Sequence, residues 1–173
     1  KLCEVLMVPN LTGIAAERVL LIGAGKHSGI SPAEYVKLVR KAAATMKSAG
    51  LKNAVSTLTE VLVSERDDGW KVQQQVLAFE AMAYRFDEFK TITKSKAAQF
   101  SRLTIATASA DNDQIDAEIR VGQSLVNGLK LTKDLANTPA NYCTPQHLAD
   151  HAEELGKQFK SVTVKVVNEA GME

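Results

Sequence analysis

The sequence predicts an α/β domain, a mixed sheet with flanking helices, continued by one long helix. Three observations carry this. Short apolar runs of strand length alternate with stretches whose apolar residues recur at helical spacing. Two helical stretches open on a hydroxyl residue followed by proline, Ser31-Pro32 and Thr144-Pro145, a pair that caps a helix and presets its first turn. A third helical run, from roughly Gln114 to Ala136, meets no proline before Pro139.

In chain order, Glu4 to Val8 and Arg18 to Ile22 are apolar runs bounded by Pro9 and Gly23 and read as strands. Gly23-Ala-Gly25-Lys-His-Ser-Gly29 is a turn-rich loop. Ser31 and Glu34 complete a capping box, after which Val36, Val39, Ala43 and Met46 share a helical face until Gly50. Ala54 to Thr59 reads as a strand. Asp67-Asp68-Gly69 opens a second helix with Val72, Val76, Phe79 and Ala83 on one face. A polar stretch, Thr91 to Gln99, leads to a strand over Arg102 to Thr107.

Asp111-Asn112-Asp113 then starts the long helix. Ile115, Ile119, Gly122, Val126 and Leu129 form its stripe, and Leu125, Thr132 and Leu135 widen it, as suits a helix packed on both sides. Pro139 breaks the run. The helix from Thr144-Pro145 is expected to bury Leu148, Ala152, Leu155 and Phe159, and Ser161 to Val167 alternates like a strand. The expected organisation is residues 1–110 as an α/β domain, 111–136 as a linker helix, and 137–173 as the start of a further domain.

Composition limits the function classes. The 173 residues (18.7 kDa) are 45% hydrophobic, enough for a packed core. No apolar run approaches the roughly 18 residues of a membrane span. Twenty-one Lys and Arg against 20 Asp and Glu give a net charge of +1, weaker than the basic bias of a dedicated nucleic-acid or membrane-surface binder. Cys3 and Cys143 build no disulfide framework, which points to a reduced, cytoplasmic compartment.

Several residue groups invite chemistry. The loop from Gly23 to Gly29 could bring backbone N–H groups to a phosphate, but it misses the P-loop and the dinucleotide spacings, and a strand-to-helix turn explains it. His147 and His151 stand four apart on one helix, as zinc ligands can, yet Leu148 occupies the place of a zincin's glutamate. Solvent-facing histidines opposite Leu148 and Leu155 are the simpler reading. Lys90, Lys94, Lys96 and Arg102 form a mildly basic stretch that could touch phosphates, partly offset by Asp87 and Glu88. Asp111, Asp113 and Asp116 suit a helix start better than a metal, and Trp70 and Phe79 suit a core. No catalytic set emerges from the residues themselves.

Lys133-Asp-Leu-Ala-Asn137-Thr-Pro139-Ala-Asn141-Tyr-Cys-Thr144-Pro145 resembles the segment that opens the catalytic domain of cytosolic leucyl aminopeptidases, the M17 metalloexopeptidases of the bacterial aminopeptidase A type. Arg18-Val-Leu-Leu-Ile-Gly23-Ala-Gly25-Lys26, Trp70-Lys71-Val72 and Phe86-Asp87-Glu88-Phe89-Lys90 resemble stretches of that family's N-terminal domain. The resemblance implies a macro-domain-like N-terminal fold lacking its early strands, a linker helix, and only the beginning of the catalytic domain. It further implies a cytoplasmic hexamer acting on peptides with a free N-terminus, and two divalent cations, manganese or zinc, per intact subunit. The family's metal-ligating and catalytic residues lie in segments such as Asn-Thr-Asp-Ala-Glu-Gly-Arg-Leu, which this sequence does not contain. No catalytic, metal or substrate-binding residue is therefore carried over, and the 173-residue chain is expected to be inactive. The apolar tail, Leu148 to Val166, is expected to pack on catalytic-domain surfaces or to drive self-association. Some bacterial relatives also bind DNA, which keeps a binding module in view, with Lys90 to Arg102 as its contact. ADP-ribose at Gly23 to Gly29, as in macro domains, ranks last.

Overall fold

A computed structural model describes residues 1–25, 27–90, 100–108 and 111–172. Its elements are β1 (Val5–Pro9), β2 (Arg18–Ile22), α1 (Pro32–Ser48), β3 (Asn53–Ser56), a 3₁₀ turn at Leu58–Glu60, α2 (Asp68–Ala83), β4 (Arg102–Ile105), α3 (Asn112–Asn137), α4 (Pro145–Gln158) and a second 3₁₀ turn at Glu169–Gly171. The chain divides into two compact units, Lys1–Gly128 and Leu129–Glu173, with the division falling within α3.

The first unit has the predicted α/β class, with small sheets flanked by helices. β1 and β2 pair antiparallel, Val5 opposite Ile22 and Pro9 opposite Arg18. β3 and β4 pair in parallel, Asn53 opposite Arg102 and Ser56 opposite Ile105. A parallel pair needs a crossover, and α2 lies within the connection that supplies it.

The helix starts follow local chemistry. Ser31 Oγ accepts from the Glu34 backbone N–H at 3.3 Å, while the Glu34 carboxylate accepts from the Ser31 N–H at 2.8 Å, so the capping box forms. Asp67 caps α2 by accepting from the Trp70 N–H at 2.9 Å. Past the end of α1, Gly50 adopts φ +65°, a left-handed turn that glycine makes without steric cost.

The core sits between α1 and α2. Tyr35, Leu38, Val39, Ala43 and Met46 meet Phe79 and Met82, and Leu20 and Ile22 of β2, Ala54 of β3 and Leu103 of β4 pack on this cluster. Each fully buried large apolar side chain contributes about 1.5–3 kcal/mol. The buried faces are broader than the periodicity implies. Tyr35 and Leu38 join the α1 face, where Val36 is half-buried, and on α2 Ala83 is exposed while Lys71, Gln75 and Met82 are buried. β3 stops at Ser56 rather than Thr59, because the Ser56 hydroxyl accepts from the Leu58 N–H at 3.3 Å and turns the chain into the 3₁₀ segment. On α3 only Ile115 and Gly122 are buried, and Val121 and Leu125 are exposed.

In the second unit, Thr144 caps α4 by accepting from the His147 N–H at 3.3 Å. The expected core face of α4 is not a core: none of its residues is buried, and Leu148 and Phe159 are exposed. Ser161 to Val167 is not a strand. Its valines alternate, but alternation makes a strand only against a partner ladder, and this unit contains no strand among the described residues.

Candidate functional site

Open α/β sheets bind ligands beyond the carboxyl ends of their parallel strands. In this chain that place follows Ser56 of β3 and Ile105 of β4, beside the first turns of α2, and a set of hydrogen-bonded side chains lies there. Ser56 Oγ donates to Gln75 Oε1 at 2.5 Å, and Gln75 Nε2 donates to the Tyr35 hydroxyl at 3.1 Å. The Tyr35 hydroxyl in turn donates to the Lys71 carbonyl at 3.4 Å.

Lys71 Nζ forms an ion pair with Asp68 at 2.6 Å and donates to the carbonyls of Thr59 and Val61, so the charge of this buried lysine is neutralised by a partly exposed carboxylate. Asp68 also accepts from the Thr107 hydroxyl at 2.9 Å, and the Thr59 hydroxyl donates to the Ala106 carbonyl. Burial holds the Tyr35 hydroxyl well above the usual phenol range; the Gln75 hydrogen bond opposes this and nearby Asp68 adds to it. Tyr35 is therefore a neutral donor and not an acid or base near pH 7.

The start of α3 lies along the same end of α2. Gln114 Nε2 donates to Asp67 at 3.2 Å, Gln73 Nε2 donates to Glu118 at 3.2 Å, and Gly122 faces Val76. Among the described residues no buried side-chain nitrogen or oxygen lacks a partner. The network is internally satisfied, and sequence reasoning missed it. Its signal was present, since Lys71 and Gln75 share an apolar face with Phe79 at helical spacing.

The loop from Gly23 to Gly29 serves the chain's own packing. A Cβ at Gly23 would run into the Lys1 carbonyl. Gly25 (φ +86°) lies against Leu2 and Ile30, and Gly29 (φ +104°) against Leu62. Its Lys26 lies outside the described residues. In the basic stretch, Lys90 pairs with Asp87 at 2.6 Å and Arg102 is exposed at the start of β4, while Lys94 and Lys96 lie outside the described residues.

Asp111 accepts from the Gln114 N–H at 3.0 Å, as a helix cap does. Phe79 is buried against Phe100, and half-buried Trp70 packs by Tyr35 with the Arg66 guanidinium over its ring. His147 and His151 are half-buried, with ring centres 4.6 Å apart in edge contact, rather than fully solvent-facing. No three His, Cys, Asp or Glu side chains converge among the described residues, so these residues do not fit the two-cation centre that the resemblance implies for the intact enzyme. Among the described residues no helix is long and apolar enough to cross a membrane.

The first unit is thus a small α/β domain with a buried, hydrogen-bonded side-chain network at the ends of its parallel strands. Its sequence matches the N-terminal domain of the cytosol aminopeptidase family over residues 1–93, and the chain belongs to that family. The probable cytosol aminopeptidase of Tolumonas auensis is 34% identical over 170 residues, covering 98% of this chain and 34% of that protein. The one from Azoarcus sp. is 37% identical over 169 residues, covering 96% of this chain and 34% of that protein. The chain therefore spans about a third of the length of these relatives. Among solved structures, the bottromycin maturation enzyme BotP superposes with a TM-score of 0.74 at 20% identity, covering 99% of this chain and 35% of BotP. A tomato leucine aminopeptidase variant gives 0.64 at 23% identity, over 90% of this chain and 30% of the enzyme. At these identities the likeness is one of fold.

Proposed function

We propose that this chain is the non-catalytic front portion of a metal-dependent leucyl aminopeptidase that, when intact, removes N-terminal amino acids from peptides in intracellular protein turnover. The observation that carries the reading is the match to the family's N-terminal domain over residues 1–93, in a chain spanning 34% of its relatives. The network around Lys71 and Gln75 supports a scaffolding role, because it ties α1, α2 and β3 together and, among the described residues, every buried side-chain nitrogen and oxygen has a partner. Residues 1–110 would form the N-terminal domain, 111–136 the linker helix, and 137–173 the start of the catalytic domain. The exposed apolar residues Leu148, Phe159, Val162, Val166 and Met172 suit a tail that the remainder of the enzyme covers.

Two divalent cations, manganese or zinc, would supply Lewis-acid chemistry to the intact subunit, and BotP has been solved in complex with Mn. None of the described residues of this chain is assigned to hold them. A cytoplasmic homo-hexamer acting on free-N-terminus peptides completes the proposal. The test is hydrolysis of leucine amide by the 173-residue chain with added Mn²⁺ or Zn²⁺, with and without chelator. The expected result is no chelator-sensitive turnover. Turnover that follows the chain through successive purification steps overturns the reading.

A further inference from the structure

We propose that His147 and His151 form a two-imidazole chelate for a borderline transition-metal dication, Cu²⁺, Ni²⁺ or Zn²⁺, on the surface of α4. The observation is their ring separation. Two imidazoles bound to one ion at about 2.0–2.1 Å, with an angle between square and tetrahedral, hold their ring centres roughly 4.5–5 Å apart. In this chain the centres stand 4.6 Å apart. The i, i+4 spacing on a continuous helix stacks the two side chains on adjacent turns, and their rotamers bring the rings to that distance.

The surroundings suit a cation. α4 carries Asp150, Glu153 and Glu154 against one cation, Lys157, so its net charge is negative. Asp150 is anchored by the Gln146 side-chain amide at 2.7 Å, beside His151 in sequence. Among the described residues no third protein ligand converges, so water would complete the coordination, and the ion would be exchangeable rather than structural. Leu148 stands where a zincin has its general base, so the site binds metal without activating water for hydrolysis. The donor set also fixes the preference: imidazole selects Cu²⁺, Ni²⁺ and Zn²⁺ over Mg²⁺ and Ca²⁺, which take oxygen ligands.

Binding should also couple to local folding. No residue of α4 is buried, so few apolar contacts hold this helix, and a bridge between two of its turns stabilises them directly. Metal should therefore raise hydrogen-exchange protection in α4 and leave α1 and α2 unaffected.

The test is calorimetric titration of CuCl₂, NiCl₂, ZnCl₂ and MgCl₂ into the metal-stripped 173-residue chain. The chain has three histidines, so His27→Gln is the control for non-specific imidazole binding. Expected are one ion per chain, tightest for Cu²⁺, with no heat from Mg²⁺ and at least about a tenfold loss of affinity in His147→Gln and in His151→Gln. His27→Gln should bind like the parent. In the unmutated chain, Zn²⁺ should shift the ring NMR signals of two imidazoles and spare the third, a readout independent of whether a variant folds. No saturable binding by the parent chain, equal loss in all three variants, or a Zn²⁺ response confined to His27 each overturns the proposal.

Discussion

Gln75 Nε2 donates to the Tyr35 hydroxyl at 3.1 Å, and this bond joins α2 to α1 in the centre of the first unit, with both side chains fully buried. Gln75 also accepts from Ser56, so one amide links two helices and the end of a parallel strand. A polar link of this kind adds little net energy when satisfied but is costly to break, because its orphaned groups have no water to turn to.

Tyr35→Phe should therefore destabilise the chain by about 1–3 kcal/mol, since it strands the Gln75 donor without opening a cavity. Gln75→Leu should cost a similar amount. The double variant should cost less than the sum, with a coupling of about 0.5–3 kcal/mol. Urea unfolding of the four proteins measures the cycle, and strict additivity would show that the two groups do not depend on one another.

Lys71→Met should be the more damaging change. Lys71 is 6% exposed and neutralises Asp68 while capping two carbonyls of the Thr59–Val61 turn. Removing one member of a buried ion pair typically costs about 3–5 kcal/mol, and Asp68 is partly accessible, so the lower end is expected. The loss should persist in 1 M salt, because a pair sheltered from solvent is poorly screened. A deficit that salt erases would mark the contact as a surface pair.

The elements legible in the sequence are those decided by neighbouring residues. Ser31, Asp67 and Thr144 cap their helices as read, because a cap needs only its own next three residues. The strand expected at Ser161 to Val167 failed because pairing depends on a partner that the alternation cannot supply. Lys71 and Gln75 escaped notice because polar residues are expected outside, and only the closing of α1, β3 and the Leu58–Glu60 turn around them makes burial tolerable. For the histidines, the shared helical face was legible from the i, i+4 spacing, whereas the ring separation depends on side-chain rotamers.

The contact between α3 and α2 should be sensitive to volume at one glycine. A Cβ at Gly122 would lie 3.1 Å from Val76 Cγ1, so any larger side chain must displace Val76. Gly122→Leu should cost about 1–3 kcal/mol by overpacking, despite leucine's better helix propensity. Adding Val76→Ala should recover part of the loss. Failure of that rescue in thermal unfolding would mean that the strain is relieved elsewhere along α3.

Alkaline pH should unfold this chain partly through Tyr35. Burial raises the folded-state pKa of its hydroxyl above the unfolded value near 10, so below pH 10 both states keep the proton and stability is unaffected. Above pH 10 the unfolded chain releases that proton while the folded chain retains it. The unfolded state then binds fewer protons, and stability falls by up to about 1.4 kcal/mol per pH unit from this one group. Tyr35→Phe removes the term, so its stability curve, lower at pH 8, should decline less steeply between pH 10 and 11.5 and converge on that of the parent. Denaturant midpoints at half-unit pH steps measure the two slopes. Parallel curves would mean that the Tyr35 hydroxyl ionises as readily in the folded chain as in the unfolded one, which its burial beneath Gln75 and the Lys71 carbonyl opposes.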